Sequence, residues 1–157
     1  MRRLVALFII IAVVSSFTGC FSHFDAEKAL ETFDRAVSLL GRTQLTDSLS
    51  LIGKRSFNGS DRYTGSYYAD CSCKSGRDVI FGGASIKDRK IELKVHIDSK
   101  KGTAVVRIRI GADVREYYPD ENGDIALTLD FEAGGDYIMV DYEDFHGQVE
   151  LYSEYID

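Results

Sequence analysis

The sequence predicts an all-β protein, an antiparallel β-sandwich preceded by one amphipathic N-terminal α-helix. Three observations support this class. Apolar residues recur at every second position from about Leu49 onward, clusters of turn-forming residues separate the alternating runs, and one helical pattern precedes them. Many short strands without a second helix between them are typical of a sandwich. With 157 residues the chain has room for one domain of ordinary size.

The first twenty residues have the anatomy of an export signal. Arg2 and Arg3 precede the apolar run Leu4–Val14, which is shorter than the about 20 residues that a bilayer-spanning helix needs. The following residues Phe17-Thr18-Gly19-Cys20 resemble the lipobox of bacterial lipoproteins, in which a small residue precedes the Cys that is acylated. The resemblance implies cleavage after Gly19 and lipidation of Cys20, while ordinary signal cleavage and an uncleaved short anchor remain alternatives.

This resemblance implies an organisation and a location. Residues 1–19 form a lipoprotein signal peptide, 20–45 a lipidated tether with the amphipathic helix, and 46–157 the β-sandwich domain. The lipid would hold the protein on the outer face of the bacterial cell membrane or envelope. The net charge of −6 argues against nucleic acid as a partner and against electrostatic docking onto anionic lipid, because both need clustered positive charge.

One amphipathic helix is predicted between Ser22 and Arg42. Ser22, with Asp25 three residues later, can begin the helix, and Gly41 can end it. We expect the apolar stripe to pack on the following domain, because a membrane-surface helix is usually richer in Lys and Arg. Its apolar positions recur at spacings of three and four: Ala26, Ala29, Leu30, Phe33, Val37 and Leu40.

Seven or eight short strands follow. The clearest are Ile91–Asp98 and Ile125–Phe131, and a third inward set is formed by Val106, Ile108 and Ile110. The other candidates are Tyr63–Cys71, Val79–Phe81, Tyr137–Tyr142 and Gln148–Tyr155. The turn signals between them are Lys74-Ser75-Gly76, Gly82-Gly83, Lys100-Lys101-Gly102, Asp120-Glu121-Asn122-Gly123, Gly134-Gly135 and His146-Gly147.

The last third of the chain carries two resemblances. The segment Leu129–Met139 is similar to the tyrosine corner of immunoglobulin-like and fibronectin-type sandwiches, and it implies that Tyr137 ties one sheet to the other while Met139 points into the core. The stretch Gly135–Leu151 is similar to the last hairpin of Greek-key jelly-roll accessory domains found at the ends of secreted bacterial peptidases and glycan-active enzymes. Both resemblances bear on the fold and carry no catalytic residue over.

Cys71 and Cys73 lie two residues apart in a predicted strand, so we expect them on the same face. Their β-carbons would be about 6 to 7 Å apart, whereas a disulfide needs about 3.5 to 4.5 Å. Two free thiols are therefore expected, with a strained link at a turn as the alternative. A metal site that joins this pair to His96 or His146 is a weaker hypothesis, because soft-metal sites usually show two separated ligand pairs.

No assembled catalytic motif is visible in the sequence, and an enzyme is the least favoured class. His96 falls on the outward side of its strand, which indicates a solvated role. The carboxylates Asp141, Glu143 and Asp144 come at the end of a predicted strand, where acidic residues mostly serve solubility and protect sheet edges.

The turn after Pro119 supports a structural calcium hypothesis. Asp120, Asn122 and Asp124 supply several oxygens within one turn, with Asp141–Asp144 as a second source. The favoured alternative is an Asn-Gly hairpin turn with solubilising flanks, because the EF-hand spacing is absent. No other cofactor is predicted.

The remaining functional signal is aromatic, because the chain holds nine Tyr and nine Phe. Tyrosine offers a flat apolar face and a hydroxyl, which suit sugar rings and peptide segments, although most tyrosines here are explained as strand formers. Tyr117 and Tyr118, before Pro119 in a predicted loop, are the candidate ligand-binding pair. We therefore expect a non-catalytic binding or adhesion module for a glycan or protein. The alternative is a structural accessory lipoprotein that scaffolds an envelope complex without a small-molecule ligand.

Overall fold

A computed structural model describes residues 26–41 and 44–156. Within them, one helix precedes six strands, which confirms the predicted all-β class with a single N-terminal helix. The elements are α1 (Ala26–Gly41), β1 (Lys54–Phe57), β2 (Gly65–Ser85), β3 (Arg89–Ile110), β4 (Asp113–Tyr117), β5 (Asp124–Phe131) and β6 (Gly134–Tyr155). In the described ranges no helix is long and apolar enough to cross a membrane. The predicted signal peptide, the lipobox with Cys20 and the Ser22 helix start lie outside the described residues.

All strand pairings are antiparallel. The order across the sheet is β1-β2-β6-β3-β4. β5 pairs with the same side of β3 as β4 does, but with the N-terminal half of β3, whereas β4 pairs with its C-terminal end. The C-terminal strand β6 therefore lies in the middle of the sheet. It pairs with β3 over almost its full length, from Ile91 opposite Tyr155 to Ile110 opposite Asp136.

The three central strands are longer than the sequence analysis predicted. β2 has 21 residues, and β3 and β6 have 22 each. Six predicted short strands are joined pairwise in them: Tyr63–Cys71 with Val79–Phe81, Ile91–Asp98 with Val106–Ile110, and Tyr137–Tyr142 with Gln148–Tyr155. The prediction of seven or eight short strands was therefore wrong. β1 and β4 were not predicted at all, and Tyr117 ends β4 instead of lying in a loop.

Five of the six predicted turns lie within these long strands. Gly82-Gly83 of β2 pairs with Tyr137 and Asp136, and Gly134-Gly135 is the paired start of β6, so neither is a turn. The other three are interruptions of strand pairing. The register shifts between Cys71 and Lys74 in β2 and between Ser99 and Lys101 in β3, and the partners of both shifts lie at the Phe145–Gly147 segment of β6. Bulges use the same Gly-rich sequences as turns, because both need backbone with positive φ, here 72° at Gly102. Since a bulge bends its strand, the three neighbouring bulges mark a common bend across the sheet.

One face of the strands forms the main hydrophobic core. In β3 the buried residues before the bulge are Ile91, Leu93, Val95 and Ile97, and those after it are Ala104, Val106 and Ile108. Segments on both sides of the bulges contribute to a single cluster of buried side chains. The inward positions predicted for these two runs are confirmed, except that Ile110 is only partly buried.

A smaller cluster lies on the opposite face of β6. It contains Leu45, Tyr137 and Met139, while the main core takes the alternate residues Ile138 and Val140. Both faces of this part of β6 are therefore covered. Met139 is buried, but in this second cluster, because its strand parity is opposite to that of Ile138.

A buried carboxylate links the segment before β1 to the main core. Asp78 accepts hydrogen bonds from the backbone N–H of Ile52 (2.9 Å) and Gly53 (3.2 Å) and from the hydroxyl of Tyr67 (2.5 Å). The Tyr67 hydroxyl also lies 2.8 Å from that of Tyr142. Burial raises the pKa of both phenols, so they stay neutral hydrogen-bonding groups.

The C-terminal half of α1 belongs to the compact unit Asp34–Asp157. Within it, Asp34 accepts hydrogen bonds from the Ser85 hydroxyl (2.9 Å) and the Ile86 N–H (3.0 Å). Its carboxylate also lies 3.8 Å from the Arg89 guanidinium. These contacts fix the end of β2 against the helix at Asp34, and the amphipathic stripe expected for this helix stays a prediction.

Candidate functional site

The face of the sheet opposite the main core presents ordered rows of side chains. Five strands run side by side there, and their registers align one residue from each strand in every row. The first row is Lys54, Tyr68, Glu150, His96 and Asp124, and the next is Ser56, Ser66, Tyr152, Lys94 and Ala126. We call this surface the tyrosine face.

The tyrosine face borders an open cavity of about 790 Å³, and the residues of both rows line it. Tyr68 is 41% exposed and Tyr152 is 45% exposed. Tyr68 pairs with Glu150, which is two residues before Tyr152 on the same side of β6. The two tyrosines are therefore diagonal neighbours, a separation of about 7 to 8 Å that aromatic side chains bridge.

Charged groups flank the tyrosines toward β3 and β5. Nδ1 of His96 lies 2.8 Å from an Asp124 carboxylate oxygen, and this hydrogen bond raises the pKa of His96 above its ordinary value. Nζ of Lys94 lies 2.7 Å from Glu92, and that hydrogen bond raises the pKa of Lys94. The cavity thus combines apolar ring faces with hydrogen-bond donors and acceptors on both sides of them.

The predicted ligand-binding pair does not form a joint site. Tyr117 is partly buried and packs against the main core, whereas Tyr118 is 65% exposed and donates a hydrogen bond to Glu116 (3.0 Å). The two rings line different cavities: Tyr117 lines a cavity that Ile108 also borders, and Tyr118 lines another that Arg77 borders. The rings are separated because neighbouring residues in an extended chain point to opposite sides. Tyr117 and Tyr118 had both been predicted to lie in a loop.

The tyrosines that share a cavity, Tyr68 and Tyr152, were counted in the sequence only as strand residues. The strands that carry them were predicted from the sequence, as Tyr63–Cys71 and Gln148–Tyr155. Their proximity was not visible, because it depends on the pairing of β2 with β6, which are far apart in the chain.

The calcium candidates lie in and beside a β-turn at Asp120–Gly123, closed by a hydrogen bond from the Gly123 N–H to the Asp120 carbonyl (3.0 Å). The strands on either side of this turn, β4 and β5, each pair with β3, so the predicted Asn-Gly hairpin is not formed in the described pairings. Oδ1 of Asp120 accepts hydrogen bonds from the N–H groups of Asn122 (2.8 Å) and Asp124 (2.9 Å), and these bonds lower the pKa of Asp120. Asp124 also pairs with His96. Across residues 26–41 and 44–156 no group of three or more His, Cys, Asp or Glu side chains is placed to hold a metal ion. Structural calcium stays a prediction.

In the second acidic group, Asp141–Asp144, two carboxylates are hydrogen-bonded to arginines or a serine. Asp141 receives two hydrogen bonds from Arg77 (2.5 and 2.7 Å) and one from Arg107 (3.1 Å). These guanidinium groups lower the pKa of Asp141 although burial opposes them. Asp144 accepts from the Ser75 hydroxyl at 3.3 Å. Asp141 therefore serves an ion-pair cluster beside Tyr118.

The two strand cysteines are free thiols, as predicted, but they do not share a face. Cys71 is buried in the main core and Cys73 is exposed. The bulge after Cys71 places Cys73 at φ 53°, so the alternation on which the prediction rested is interrupted there. Burial raises the pKa of the Cys71 thiol, which favours its neutral form.

Comparison with known proteins gives no independent assignment. No protein-family model matches the chain, and a search of curated proteins found no significant relative. The geometry of the tyrosine face is the feature on which a functional proposal can be based.

Proposed function

We propose that this protein is a membrane-anchored extracytoplasmic lipoprotein whose folded part is a non-catalytic glycan-binding module. The observation that carries the proposal is the pair of exposed tyrosines, Tyr68 and Tyr152, side by side on one open cavity. An aromatic ring presents a flat apolar surface to the C–H face of a sugar, and the phenol adds a hydrogen-bonding group. Polar groups around the rings fix the orientation of the ligand.

The surroundings of the two rings fit a hydroxyl-rich ligand. Glu150 and Asp124 offer acceptors, and Lys54 and Lys94 offer donors, within the same two rows. Five adjacent strands at about 4.8 Å spacing make this face about 20 Å wide, enough for several linked sugar rings. We infer binding across the strands, because the two rows run in that direction.

The proposal includes an antiparallel β-sandwich, of Greek-key/jelly-roll or immunoglobulin-like kind. Its support is the common bend across the three long strands, together with the single core to which both sides of the bend contribute. In such a fold the core occupies one face of the sheet; the other face is covered at Tyr137 and Met139 and is open to solvent at the tyrosine face. Tyr137 as a tyrosine corner belongs to the same proposal.

The membrane anchor is proposed from the export segment and Cys20, and it has its own test. Cells that express the full chain should incorporate radiolabelled palmitate into the protein, and the Cys20→Ser variant should lose the label. The protein should partition with membranes only when labelled. Unchanged membrane partitioning of Cys20→Ser would contradict lipid anchoring and favour the uncleaved segment as the anchor.

The glycan proposal is tested with the purified full chain in detergent. Calorimetric titration against a panel of envelope and host glycans should give saturable binding of one class. The double variant Tyr68→Ala/Tyr152→Ala should lose at least tenfold in affinity, while Tyr118→Ala, an exposed tyrosine elsewhere, should bind like the wild type. Binding that is lost with Tyr118→Ala and kept in the double variant would contradict the site.

The second candidate is a structural accessory lipoprotein that scaffolds an envelope complex. The observation that favours it is the set of sheet edges, because β1, β4 and β5 each pair on one side only among the described strands. An unpaired edge is a template for strand addition by a protein partner. A Pro substitution at Thr128 of β5 that abolishes cross-linking to an envelope protein, without affecting glycans, would favour this function.

A further inference from the structure

A second cavity, of about 400 Å³, lies where β3 and β6 meet the ends of β4 and β5. Its charged lining is strongly unequal. It is bordered by one basic side chain, Arg115, and by four carboxylates: Asp113, Asp130, Glu132 and Asp136. The cavity is distinct from the tyrosine face, with which it shares no lining residue. We call it the acidic cavity.

Asp136 is the buried member of this group. It is 1% exposed, and its Oδ1 accepts a hydrogen bond from the N–H of Gly111 at 3.0 Å. Its Oδ2 is buried and has no hydrogen-bond partner in the ranges that the structure describes. Asp136 pairs with Ile110, and both Ile110 and Gly111 line the acidic cavity. A buried carboxylate oxygen without a donor is energetically costly, and a bound donor would remove that cost.

Two basic side chains stabilise the charge of Asp136 without supplying that donor. Burial raises the pKa of Asp136, and the charges of Arg89 and Arg109 oppose this. Yet Nε of Arg109 donates to the Gly111 carbonyl (2.8 Å), and Nε of Arg89 donates to the Tyr155 hydroxyl (3.2 Å). The carboxylate therefore lies in an acidic cavity with one oxygen still able to accept a charged hydrogen bond.

We propose that the acidic cavity binds a ligand that carries a primary ammonium group, with Asp136 as its ion-pair partner. An ammonium group carries three donors, which suit one unpaired carboxylate oxygen and the carboxylates at the rim. The volume matches a small organic molecule, since ligand cavities range from about 300 to 1,000 Å³, and it exceeds what a bare ion needs. Rim carboxylates such as Asp113 and Glu132 raise the local concentration of a cation. This inference does not depend on the glycan proposal.

The test uses the full chain in detergent and two probes of equal length. 1,5-Diaminopentane carries the ammonium groups, and 1,5-pentanediol replaces them with neutral hydroxyls. Calorimetric titration at pH 7 and low salt should give saturable binding of the diamine and at least tenfold weaker binding of the diol. Equal binding of both probes, or no saturable binding of the diamine, would overturn the proposal.

Variants locate the site. Asp136→Asn keeps an oxygen for the Gly111 N–H and removes the charge, and it should weaken diamine binding at least tenfold. The control Asp120→Asn removes an exposed carboxylate in the β-turn at Asp120–Gly123, and Tyr68→Ala alters the tyrosine face; both should bind like the wild type. If Asp136→Asn does not fold, Glu132→Gln replaces it, with an expected severalfold loss. If the folded Asp136→Asn protein binds the diamine with full affinity, the diamine binds elsewhere. Where Glu132→Gln is used in its place, full affinity of that variant has the same meaning.

Discussion

Tyr67 and Tyr68 are adjacent residues of one strand, yet they lie on opposite faces of the sheet. Tyr67 is 2% exposed and bonds to Asp78 and Tyr142, whereas Tyr68 is 41% exposed on an open cavity. Strand alternation is the cause, because successive side chains point to opposite faces. The same residue type therefore stabilises the core at one position and is available to a ligand at the next.

The difference predicts two kinds of mutational effect. On the core face, polar groups are buried and already bonded, so removing one partner leaves others unsatisfied and lowers the free energy of unfolding. On the tyrosine face, side chains are solvated, so the same change leaves folding nearly intact and alters binding. Paired substitutions on the two faces test this division.

The largest effect is expected at Asp78. Asp78→Ala removes the acceptor for two backbone N–H groups and for the Tyr67 hydroxyl, and we expect a loss of about 3 to 5 kcal/mol in the free energy of unfolding. Urea denaturation followed by circular dichroism measures it. Asp70→Ala, a matched control at an exposed position of the same strand, should change stability by less than about 0.5 kcal/mol. Similar losses for both would contradict the division between faces.

The next effect is expected at the bulges, where the three long strands are interrupted. Gly102 has φ 72°, and a β-carbon there would collide with the carbonyl oxygens of Glu143 and Asp144. We therefore expect Gly102→Ala to lower the free energy of unfolding by about 2 to 4 kcal/mol.

Gly111→Ala is the matched control for this bulge, because Gly111 has φ 58° with nothing within 4 Å of its β-carbon position. The Gly111→Ala variant has the backbone strain without the collision, and we expect its free energy of unfolding to fall by about 1 kcal/mol. The comparison is made by thermal and urea denaturation of both variants. Equal costs would mean that the close approach of β3 and β6 at the bulge does not constrain the fold.

A smaller effect separates the two adjacent tyrosines directly. Tyr67→Phe removes a hydroxyl bonded to both Asp78 and Tyr142, and we expect a loss of about 1 to 2 kcal/mol. Tyr68→Phe removes an exposed hydroxyl and should change stability by less than about 0.5 kcal/mol. Denaturation curves of the two variants in one buffer give the difference. A larger loss for Tyr68→Phe would reverse the assignment of the faces.

The sequence allowed the faces to be predicted better than the topology. The alternation of Ile91, Leu93, Val95 and Ile97 identified core positions, and the outward parity of His96 was predicted correctly, because a period of two is local information. Long-range pairing is not local. Nothing in the chain indicates that β6 inserts between β2 and β3, and so the proximity of Tyr68 and Tyr152 could not be predicted.

The errors in strand length have one physical origin. Glycines at Gly76, Gly102 and Gly147 mark backbone that needs positive φ, and both hairpin turns and β-bulges meet that description. At Asp120–Gly123 the predicted turn is present, since the Asp side chain there bonds to the following N–H groups. The predicted hairpin was wrong, because the flanking strands β4 and β5 each pair with β3 and, among the described pairings, not with each other. A bulge differs only in that its strand continues along the same partner, which depends on the rest of the sheet.

The smallest expected effect concerns the charge pair on the tyrosine face. The hydrogen bond to Asp124 raises the pKa of His96 above its ordinary 6.5. The pair therefore adds stability fully below pH 6.5, and this contribution is lost as the pH rises through the raised pKa. Both side chains are about half exposed, 51% and 58%, so screening by water limits the contribution to less than about 0.5 kcal/mol.

The measurement is the free energy of unfolding of wild type and His96→Gln at pH 5.5 and pH 8.5, with the difference between the two proteins taken at each pH. Wild type should be the more stable protein at pH 5.5, and its advantage should shrink at pH 8.5 and in 1 M salt, because salt screens exposed charges. An advantage that grows with pH would mean that His96 is stabilised in its neutral form. If wild type is instead the more stable protein at pH 5.5, the charge of His96, which lies in the same row as Tyr68, acts on a ligand of the tyrosine face with little cost to folding.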